Sequence, residues 1–239
     1  MSSLINSEGK RRDGRGIDEL RPIKMQVGVI QNANGSAYIE FGKNKILAGV
    51  YGPKEVHPKH MALSDTAVLR CRYHMTPFST DTRKNPAPSR REVEISKVIR
   101  EALEPALILT DYPRTAIDVY VEVLQSDGGS RCAGVTAASL ALADAGINML
   151  DLVSGCAAGK IGGIPVVDLD DPEDKEGDGD MPVAMLPNLG KVTLLQIDGK
   201  FSSEEFEKAF SYAREGCMKV YAMQRKALMD HYFGAEESI

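Results

Sequence analysis

Asp127-Gly128-Gly129-Ser130-Arg131 joins two apolar runs of different character. Residues 117–124 alternate between apolar and polar side chains, which is the pattern of a half-buried β-strand. Residues 132–143 are rich in alanine and carry no charge, which favours a buried helix. The two glycines are therefore predicted to lie where a strand turns into a helix.

A strand-to-helix turn of this composition is a candidate anion site. The first N–H groups of a helix have no partner within it, and the helix dipole is positive at that end. Ser130 adds a hydroxyl and Arg131 adds a guanidinium, which suits a small tetrahedral anion such as phosphate. Arg131 opposes the dipole unless an anion is bound. The alternative is a plain turn, since so short a motif is weak by itself.

The composition limits what else the chain can do. Its 239 residues carry a net charge of −5, and 43% are hydrophobic, enough for one large domain or two closely packed ones. Because the chain as a whole repels phosphate, nucleic acid would need a local basic surface. The four scattered cysteines lack zinc-site spacing and are predicted to be buried free thiols. Neither a signal peptide nor a membrane span is predicted, so a cytoplasmic protein is expected.

The order of predicted elements indicates an α+β fold in which strands followed by a helix occur twice. Residues 1–15 are interpreted as a flexible basic arm, residues 16–150 as a first half, and residues 151–235 as a second half packed with the first as one unit. Ser89 and Ser202 each precede a glutamate by three residues, a capping box that begins a helix. Strands are predicted at residues 23–29, 36–41, 45–51, 68–75, 117–124, 157–167, 182–186 and 192–197.

A second candidate site is basic. Arg90 and Arg91 lie in the first turn of the helix that begins after Ser89, where positive charge is unfavourable. Between residues 70 and 100 the chain has eight lysines and arginines, Lys97 among them, against three acids. This local excess predicts an anion-binding strip suited to an RNA backbone. The alternative is a solvated charged face.

A third candidate is acidic. Residues 168–180 contain eight carboxylates and are predicted to form a loop. The spaced carboxylates of Asp174 and Asp180 suit a divalent metal or a general acid. An EF-hand is disfavoured because its bidentate glutamate is missing. The alternative is an acidic loop exposed to solvent.

Two further groups of residues carry weaker signals. His57 and His60 have no third metal ligand nearby in the sequence, so a polar loop is favoured over a metal site. Four aromatic side chains are assigned to packing, with base stacking considered for one at most. These four are Tyr38, Phe41, Tyr73 and Phe78.

A series of short motifs runs along the chain in a fixed order. The motifs are Arg12-Asp13-Gly14-Arg15, Glu19-Leu20-Arg21-Pro22-Ile23, Gly35-Ser36-Ala37, residues 89–95, Leu124-Gln125-Ser126-Asp127-Gly128-Gly129-Ser130-Arg131, Ala141-Leu142-Ala143-Asp144-Ala145 and Asp178-Gly179-Asp180-Met181. Together they resemble the ribonuclease PH family of phosphorolytic exoribonucleases over nearly the whole chain. Within that family, Tyr51-Gly52-Pro53 and His57-Pro58-Lys59-His60 are most similar to the catalytic ribonuclease-PH-type subunit of archaeal exosomes.

The resemblance implies a fold and an assembly. The fold is a duplicated mixed β-sheet and helix architecture of the ribonuclease PH type. The assembly is a hexameric ring, a trimer of dimers in which this subunit alternates with a related inactive one. RNA-binding cap proteins lie on one face of the ring, and no membrane is involved. The inactive partner lacks the acidic catalytic residue, so the presence of Asp180 favours the active role.

The activity implied is phosphate-dependent removal of nucleotides from the 3′ ends of single-stranded RNA. Inorganic phosphate is a co-substrate, the products are nucleoside 5′-diphosphates, and the reaction is reversible to tail addition. On this basis phosphate is assigned to Gly129, Ser130 and Arg131, and RNA to Arg90, Arg91 and Lys97. Catalysis, or the binding of Mg²⁺ or Mn²⁺, is assigned to Asp180 with Asp174 as a helper.

Two other functions remain open at this point. One is a ring subunit that binds RNA without catalysis. The other is a metal-dependent RNA hydrolase that uses the acidic loop and water, and that releases nucleoside monophosphates without added phosphate.

Overall fold

The fold contains two β-sheets accompanied by helices, as described by a computed structural model for residues 4–5 and 10–234. The first sheet has the strand order β1-β2-β3-β5-β4, and its neighbours are antiparallel except for the parallel pair β4 and β5. Its strands are β1 (Ile23–Val27), β2 (Gly35–Phe41), β3 (Asn44–Glu55), β4 (Val68–Met75) and β5 (Thr115–Gln125).

The second sheet is antiparallel and has the order β10-β8-β6-β7, with β9 also paired to β8. Its register places Asp180 opposite Gly159 on one side and opposite Asp198 on the other. The strands are β6 (Ser154–Ile161), β7 (Ile164–Val167), β8 (Gly179–Leu186), β9 (Lys191–Leu195) and β10 (Asp198–Gly199).

Among the described residues, four α-helices and three short 3₁₀ helices accompany the sheets. Ser89 and Ser202 form the predicted capping boxes. Each serine hydroxyl accepts a hydrogen bond from the backbone amide of the glutamate at the third helical position, and the side chain of that glutamate accepts one from the backbone amide of the serine. The α-helices are α1 (Arg90–Leu103), α2 (Ser130–Asp144), α3 (Asp171–Glu176) and α4 (Ser203–Phe233). The 3₁₀ helices are Lys59–Met61, Glu104–Ala106 and Leu109–Asp111. Within this part of the chain, none of the helices is long and apolar enough to cross a membrane.

Helix α2 occupies the centre of the molecule. Its residues from Cys132 to Leu142 are all buried, and it packs against β2 and β3 of the first sheet and β6 of the second. Such close packing on several sides requires small side chains, which explains the alanine-rich sequence. The largest hydrophobic cluster accordingly joins Leu140 of α2 to Ile39 in one sheet and to Leu186 in the other. The start of α2 is thereby fixed relative to both sheets.

The sequence predicted most of these elements, and the α+β class is confirmed. Two segments differ from the prediction. Residues 157–167 were expected to form one strand, but a turn at Gly162 and Gly163 divides them into the hairpin of β6 and β7. The predicted acidic loop at 168–180 instead contains helix α3, which Asp170 caps by accepting a hydrogen bond from the Glu173 amide.

The predicted flexible arm is wrong for its described part. Arg11 is 2% exposed, and its Nε donates to Glu173 Oε1 at 2.8 Å while Nη1 donates to the Val167 carbonyl at 2.5 Å. Arg15 is buried as well and donates to the Asp168 carbonyl at 3.0 Å. The basic residues are held because buried carboxylates of the second half compensate their charges. Residues 1–3 and 6–9 of the arm, and the predicted end at residue 235, lie outside the described residues.

Arg21 joins the two halves through a buried ion pair. Its Nη2 lies 2.7 Å from Asp168 Oδ1, and its backbone amide donates to Asp168 Oδ2 at 2.7 Å. The same guanidinium donates to the carbonyl groups of Asp127 and Gly128. Asp168 itself has a positive φ of 53°, a conformation that aspartate and asparagine adopt more readily than most residues. One arginine therefore contributes both to the link between the halves and to the position of the glycine loop.

We expect Asp168→Asn to lower the free energy of unfolding by about 3–5 kcal/mol, because it leaves the Arg21 guanidinium buried without its counter-charge. Asparagine keeps the shape and tolerates the positive φ, so the effect reports on charge. The matched control is Glu55→Gln, whose partner Lys59 lies 2.9 Å away at the surface and which should change stability by less than ~1 kcal/mol. Chemical denaturation measures both, and equal effects would contradict the organising role of the pair.

Candidate active site

A cavity of about 780 Å³ opens beside the first residues of α2. Its wall includes the glycine loop (residues 127–131), the largely polar segment 78–84 and helix α3. Six of the eight residues assigned from the sequence line this one cavity. They are Arg91, Gly129, Ser130, Arg131, Asp174 and Asp180.

The backbone of the glycine loop requires glycine. Gly128 has a φ of +71° and Gly129 a φ of +67°, and a Cβ on Gly128 would lie 2.6 Å from the Asp170 carbonyl carbon. Asn44 fixes the loop from the β3 side, since its Oδ1 accepts from the Asp127 amide at 2.7 Å and its Nδ2 donates to the Gly128 carbonyl at 2.5 Å. Because Arg21 also donates to the carbonyl groups of Asp127 and Gly128, the loop is held by two side chains.

The start of α2 is suited to an anion. Gly129 precedes the first helical residue and has no side chain with which to cap the first turn. The N–H groups of this turn therefore remain available to a ligand in the cavity that Gly129, Ser130 and Arg131 line. The predicted anion site thus has the expected backbone geometry.

Tyr73 supports the hydroxyl of Ser130 from within the core. The two side-chain oxygens lie 2.8 Å apart, and Tyr73 is 2% exposed. Burial raises the pKa of Tyr73, so the phenol keeps its proton and can donate it to Ser130 Oγ. Ser130 is then free to donate its own proton into the cavity. The sequence had assigned Tyr73 to packing, and its alternating position on β4 gave no sign of this second contact.

Arg131 is oriented by a residue that the sequence did not single out. Its Nη1 donates to Gln196 Oε1 at 2.6 Å, across 65 positions of sequence. Its Nε is buried with no hydrogen-bond partner among the described residues. Gln196 follows β9, and its backbone amide donates to the Pro182 carbonyl at 3.2 Å. Nothing in the local sequence of Gln196 predicts this contact.

The two candidate carboxyl groups bind protons more tightly than ordinary aspartates do. Burial, and then the nearby charge of Asp174, raise the pKa of Asp180. Partial loss of hydration and the charge of Asp171 raise the pKa of Asp174, although Arg91 acts in the opposite direction. Each of the two is therefore better suited than an ordinary aspartate to donate a proton as the pH approaches neutrality. Across residues 4–5 and 10–234 there is no group of three or more His, Cys, Asp or Glu that could hold a metal ion.

The predicted basic strip is only partly at the cavity. Arg91 lines it, whereas Arg90 is exposed outside it and Lys97 is 66% exposed and lies 3.7 Å from Glu101. Lys84, another residue of the predicted strip, also lines the cavity. The sequence did not assign three other cationic residues of the wall to this site, because they come from segments far apart in the chain. They are Arg12, Lys43 and Lys175.

The remaining sequence candidates lie elsewhere or have packing roles. His57 and His60 are exposed beside the 3₁₀ helix at Lys59–Met61. Phe41 is buried in the core, whereas Phe78 is 71% exposed at the cavity wall. All four cysteines are free, as predicted, and three of them are buried, with Cys71 only partly so.

Comparison with known proteins decides the family. Models of the 3′ exoribonuclease family, ribonuclease PH type, match residues 19–148 as domain 1 and residues 151–216 as domain 2. The chain belongs to the ribonuclease PH family. It is therefore a phosphorolytic 3′-to-5′ exoribonuclease, in which phosphate takes the place that water has in a hydrolase. The alternative of a metal-dependent hydrolase is inconsistent with this chemistry.

Archaeal members of the family are similar over almost their entire length. Exosome complex component Rrp41 of Cenarchaeum symbiosum is 58% identical over 98% of this chain and 96% of its own. The protein of the same name from Pyrococcus furiosus is 59% identical, covering 99% and 94%. The predicted relationship to the ribonuclease-PH-type exosome proteins of archaea is confirmed.

Solved structures confirm the ribonuclease PH-like architecture. Rice Rrp46 superposes with a TM-score of 0.81 at 23% identity, covering 91% of this chain and all of that one. A chain of the Archaeoglobus fulgidus exosome with RNA bound to the active site superposes with a TM-score of 0.77 at 22% identity, covering 89% and 92%. At these identities the likeness concerns the fold.

Substitution of one glycine tests the geometry of this family member's loop. Gly162→Ala places a side chain at a φ of +57° in open space and should cost about 1–2 kcal/mol. Gly128→Ala adds a contact of 2.6 Å with the Asp170 backbone, so the loop must shift. We expect Gly128→Ala alone to raise the phosphate KM strongly. Steady-state kinetics and thermal unfolding measure both variants, and similar kinetics for the two would contradict the loop's role.

Proposed function

We propose that this cavity is the phosphorolytic active site of an archaeal exosome subunit of the Rrp41 type. The observation that carries the proposal is a single cavity in which the start of α2 meets a carboxyl group of raised pKa. The first feature suits an incoming phosphate and the second suits protonation of a leaving oxygen. Both are needed when one anion attacks another.

Inorganic phosphate would bind at the glycine loop. The N–H groups of Gly129 and Ser130, the Ser130 hydroxyl and the Arg131 guanidinium supply donors of the kind that phosphate requires. Tyr73 and Gln196 hold the two side chains in place. Because these donors are fixed before phosphate arrives, little reorganisation is needed at the moment of reaction.

The RNA 3′ end would enter along the cationic part of the cavity wall. Arg91 lies close to the reacting groups, since its charge opposes the rise in the pKa of both Asp174 and Asp180. Lys43 and Lys84 extend the positive wall, and Arg90 and Lys97 lie outside it, where they would contact the backbone further from the end. Contacts of this kind recognise phosphates rather than bases, so little sequence preference is expected.

Asp180 would act as the general acid. An oxygen of inorganic phosphate attacks the phosphorus of the terminal phosphodiester, and the bond from that phosphorus to the 3′ oxygen of the preceding nucleotide breaks. The Asp180 proton passes to the departing oxygen, which becomes the new 3′-hydroxyl. The released product is a nucleoside 5′-diphosphate. One phosphodiester bond is exchanged for one phosphoanhydride bond, so an excess of nucleoside diphosphate would drive tail addition.

A divalent cation fits this donor set. Mg²⁺ is commonly bound by one or two carboxylates together with substrate phosphates, and Asp174 and Asp180 are close enough for the charge of one to raise the pKa of the other. Mg²⁺ or Mn²⁺ at these residues would screen the repulsion between phosphate and RNA. Asp174 would hold the ion while Asp180 retains its role toward the leaving oxygen.

The proposed setting is a cytoplasmic ring. The relatives named as exosome components support assembly in an exosome complex. The proposed neighbours are a related inactive subunit, with which this chain would form a trimer of dimers, and RNA-binding cap proteins on one face. Edge strand β9 exposes apolar side chains that a neighbouring subunit could cover. They are Val192 and Leu195, with Ile197 just beyond the strand.

Asp180→Ala should abolish phosphorolysis while the affinity for RNA stays within about threefold, because the substitution removes the proton donor but none of the proposed phosphate or RNA contacts. The assay supplies the assembled complex with end-labelled RNA, magnesium and phosphate, and it identifies the released nucleotide. Asp178→Asn is the matched control, since Asp178 accepts from the Gly163 amide at 2.9 Å and does not line the cavity.

The released nucleotide separates the proposed function from its rivals. Nucleoside diphosphate from the unmodified protein supports phosphorolysis. Its absence with every partner present would point to a non-catalytic RNA-binding subunit. Full activity of Asp180→Ala would remove Asp180 from the mechanism.

The pH dependence of kcat tests Asp180 as an acid. A general acid works while protonated, so a raised pKa keeps the enzyme active to higher pH, and activity falls as the pH rises through that pKa. Asp174→Asn removes a nearby negative charge and should move the falling limb to lower pH. Wild type and variant are compared at saturating phosphate and magnesium, where titration of phosphate itself is common to both. A limb that stays in place or moves upward would contradict the assignment.

A further inference from the structure

We propose that Gln196 is a positioning residue for phosphate, which holds the Arg131 guanidinium in place without neutralising its charge. The inference rests on the proposed function, because it assigns a task to Arg131 in binding phosphate. It adds a residue from the second half of the chain to a site otherwise attributed to the glycine loop.

The contact is direct and has a defined polarity. The carboxamide oxygen of Gln196 accepts from Arg131 Nη1 at 2.6 Å. A guanidinium has five N–H groups, so one bond fixes its orientation and leaves the remaining donors for another partner. Arg131 Nε has no partner among the described residues although it is buried, which is the state expected of a donor group that awaits a ligand.

The three buried arginines of the N-terminal segment have carboxylate partners instead. Arg11 pairs with Glu173, Arg15 with Asp13, and Arg21 with Asp168. Each of these contacts compensates the arginine's charge and serves the fold. Arg131 has a neutral carboxamide in the corresponding place, so its orientation is set while its full positive charge remains for an oxyanion.

The backbone of Gln196 ties this support to the proposed acid. Its amide donates to the Pro182 carbonyl at 3.2 Å, two residues after Asp180 on the same strand. Register pairs on either side, Leu195 with Val183 and Asp198 with Asp180, fix the segment against β8. The same part of the second sheet therefore positions both the phosphate-binding arginine and the proton donor.

Gln196→Glu tests the inference because it keeps the shape of the side chain and adds the missing negative charge. A carboxylate at this distance forms a charge-assisted pair with Arg131 and competes with phosphate for it. We expect the phosphate KM of the assembled complex to rise about tenfold or more. The value of kcat at saturating phosphate and the Kd for RNA should stay within about twofold.

Two further variants control this result. Gln125→Glu adds the same charge to the same cavity wall at an exposed residue that is not the hydrogen-bond partner of Arg131, and its phosphate KM should rise less than threefold. Gln196→Met removes the acceptor without adding charge, and should raise the phosphate KM by less than Gln196→Glu does. Thermal unfolding confirms that each variant is folded, and Gln196→Met carries the test if the glutamate variant is not.

The outcomes distinguish this inference from the proposed function through Arg131→Ala. Suppose that Arg131→Ala raises the phosphate KM while Gln196→Glu behaves like Gln125→Glu, or Gln196→Met like the unmodified protein. The positioning role is then wrong and the proposed site stands. If Arg131→Ala leaves the phosphate KM unchanged, the proposed phosphate site itself is overturned.

Discussion

The ion pair between Arg21 and Asp168 is the contact on which the site depends. One guanidinium binds a carboxylate at the entrance to the second half and, through its other N–H groups, the carbonyl groups of Asp127 and Gly128. With these carbonyl groups occupied, the loop is fixed at the point where α2 begins. A buried ion pair adds little stability by itself, but the loss of one partner is costly, so such a pair specifies one arrangement of the chain. Here the specified arrangement is the one that leaves the helix start free for an anion.

Charge is divided between structure and function in a consistent way. The buried arginines of the N-terminal segment are matched by carboxylates. Burial alone would raise the pKa of Glu173, but the hydrogen bonds from Arg11 outweigh this effect and bring that pKa below its usual value. Arg131 is supported by neutral Gln196, and Ser130 by neutral Tyr73. Asp174 and Asp180, which line the cavity, have their pKa raised. Arginine and carboxylate side chains therefore stabilise the fold where they form ion pairs with one another. At the cavity, where they lack such partners, they face the proposed substrate.

Local patterns predicted the parts of this structure that local physics determines. Alternation identified β4 and β5, serine with glutamate three residues later identified the starts of α1 and α4, and two glycines before Ser130 identified the start of α2. The prediction failed where distant charges meet. Arg11 was taken for part of a free arm because Glu173, 162 positions away, is invisible to any local pattern. The contacts of Gln196 with Arg131 and of Tyr73 with Ser130 were not predicted for the same reason, since each joins residues that are far apart in the sequence.

Binding of inorganic phosphate at the start of α2, beside Asp180, is visible in a crystal structure of the assembled complex grown in orthophosphate. We expect one bound phosphate about 3 Å from Ser130 Oγ and from a guanidinium nitrogen of Arg131, with the Asp180 carboxyl group facing it. A complex saturated with orthophosphate in which this position is empty, and in which Asp180 points away from it, would exclude phosphorolysis at this site.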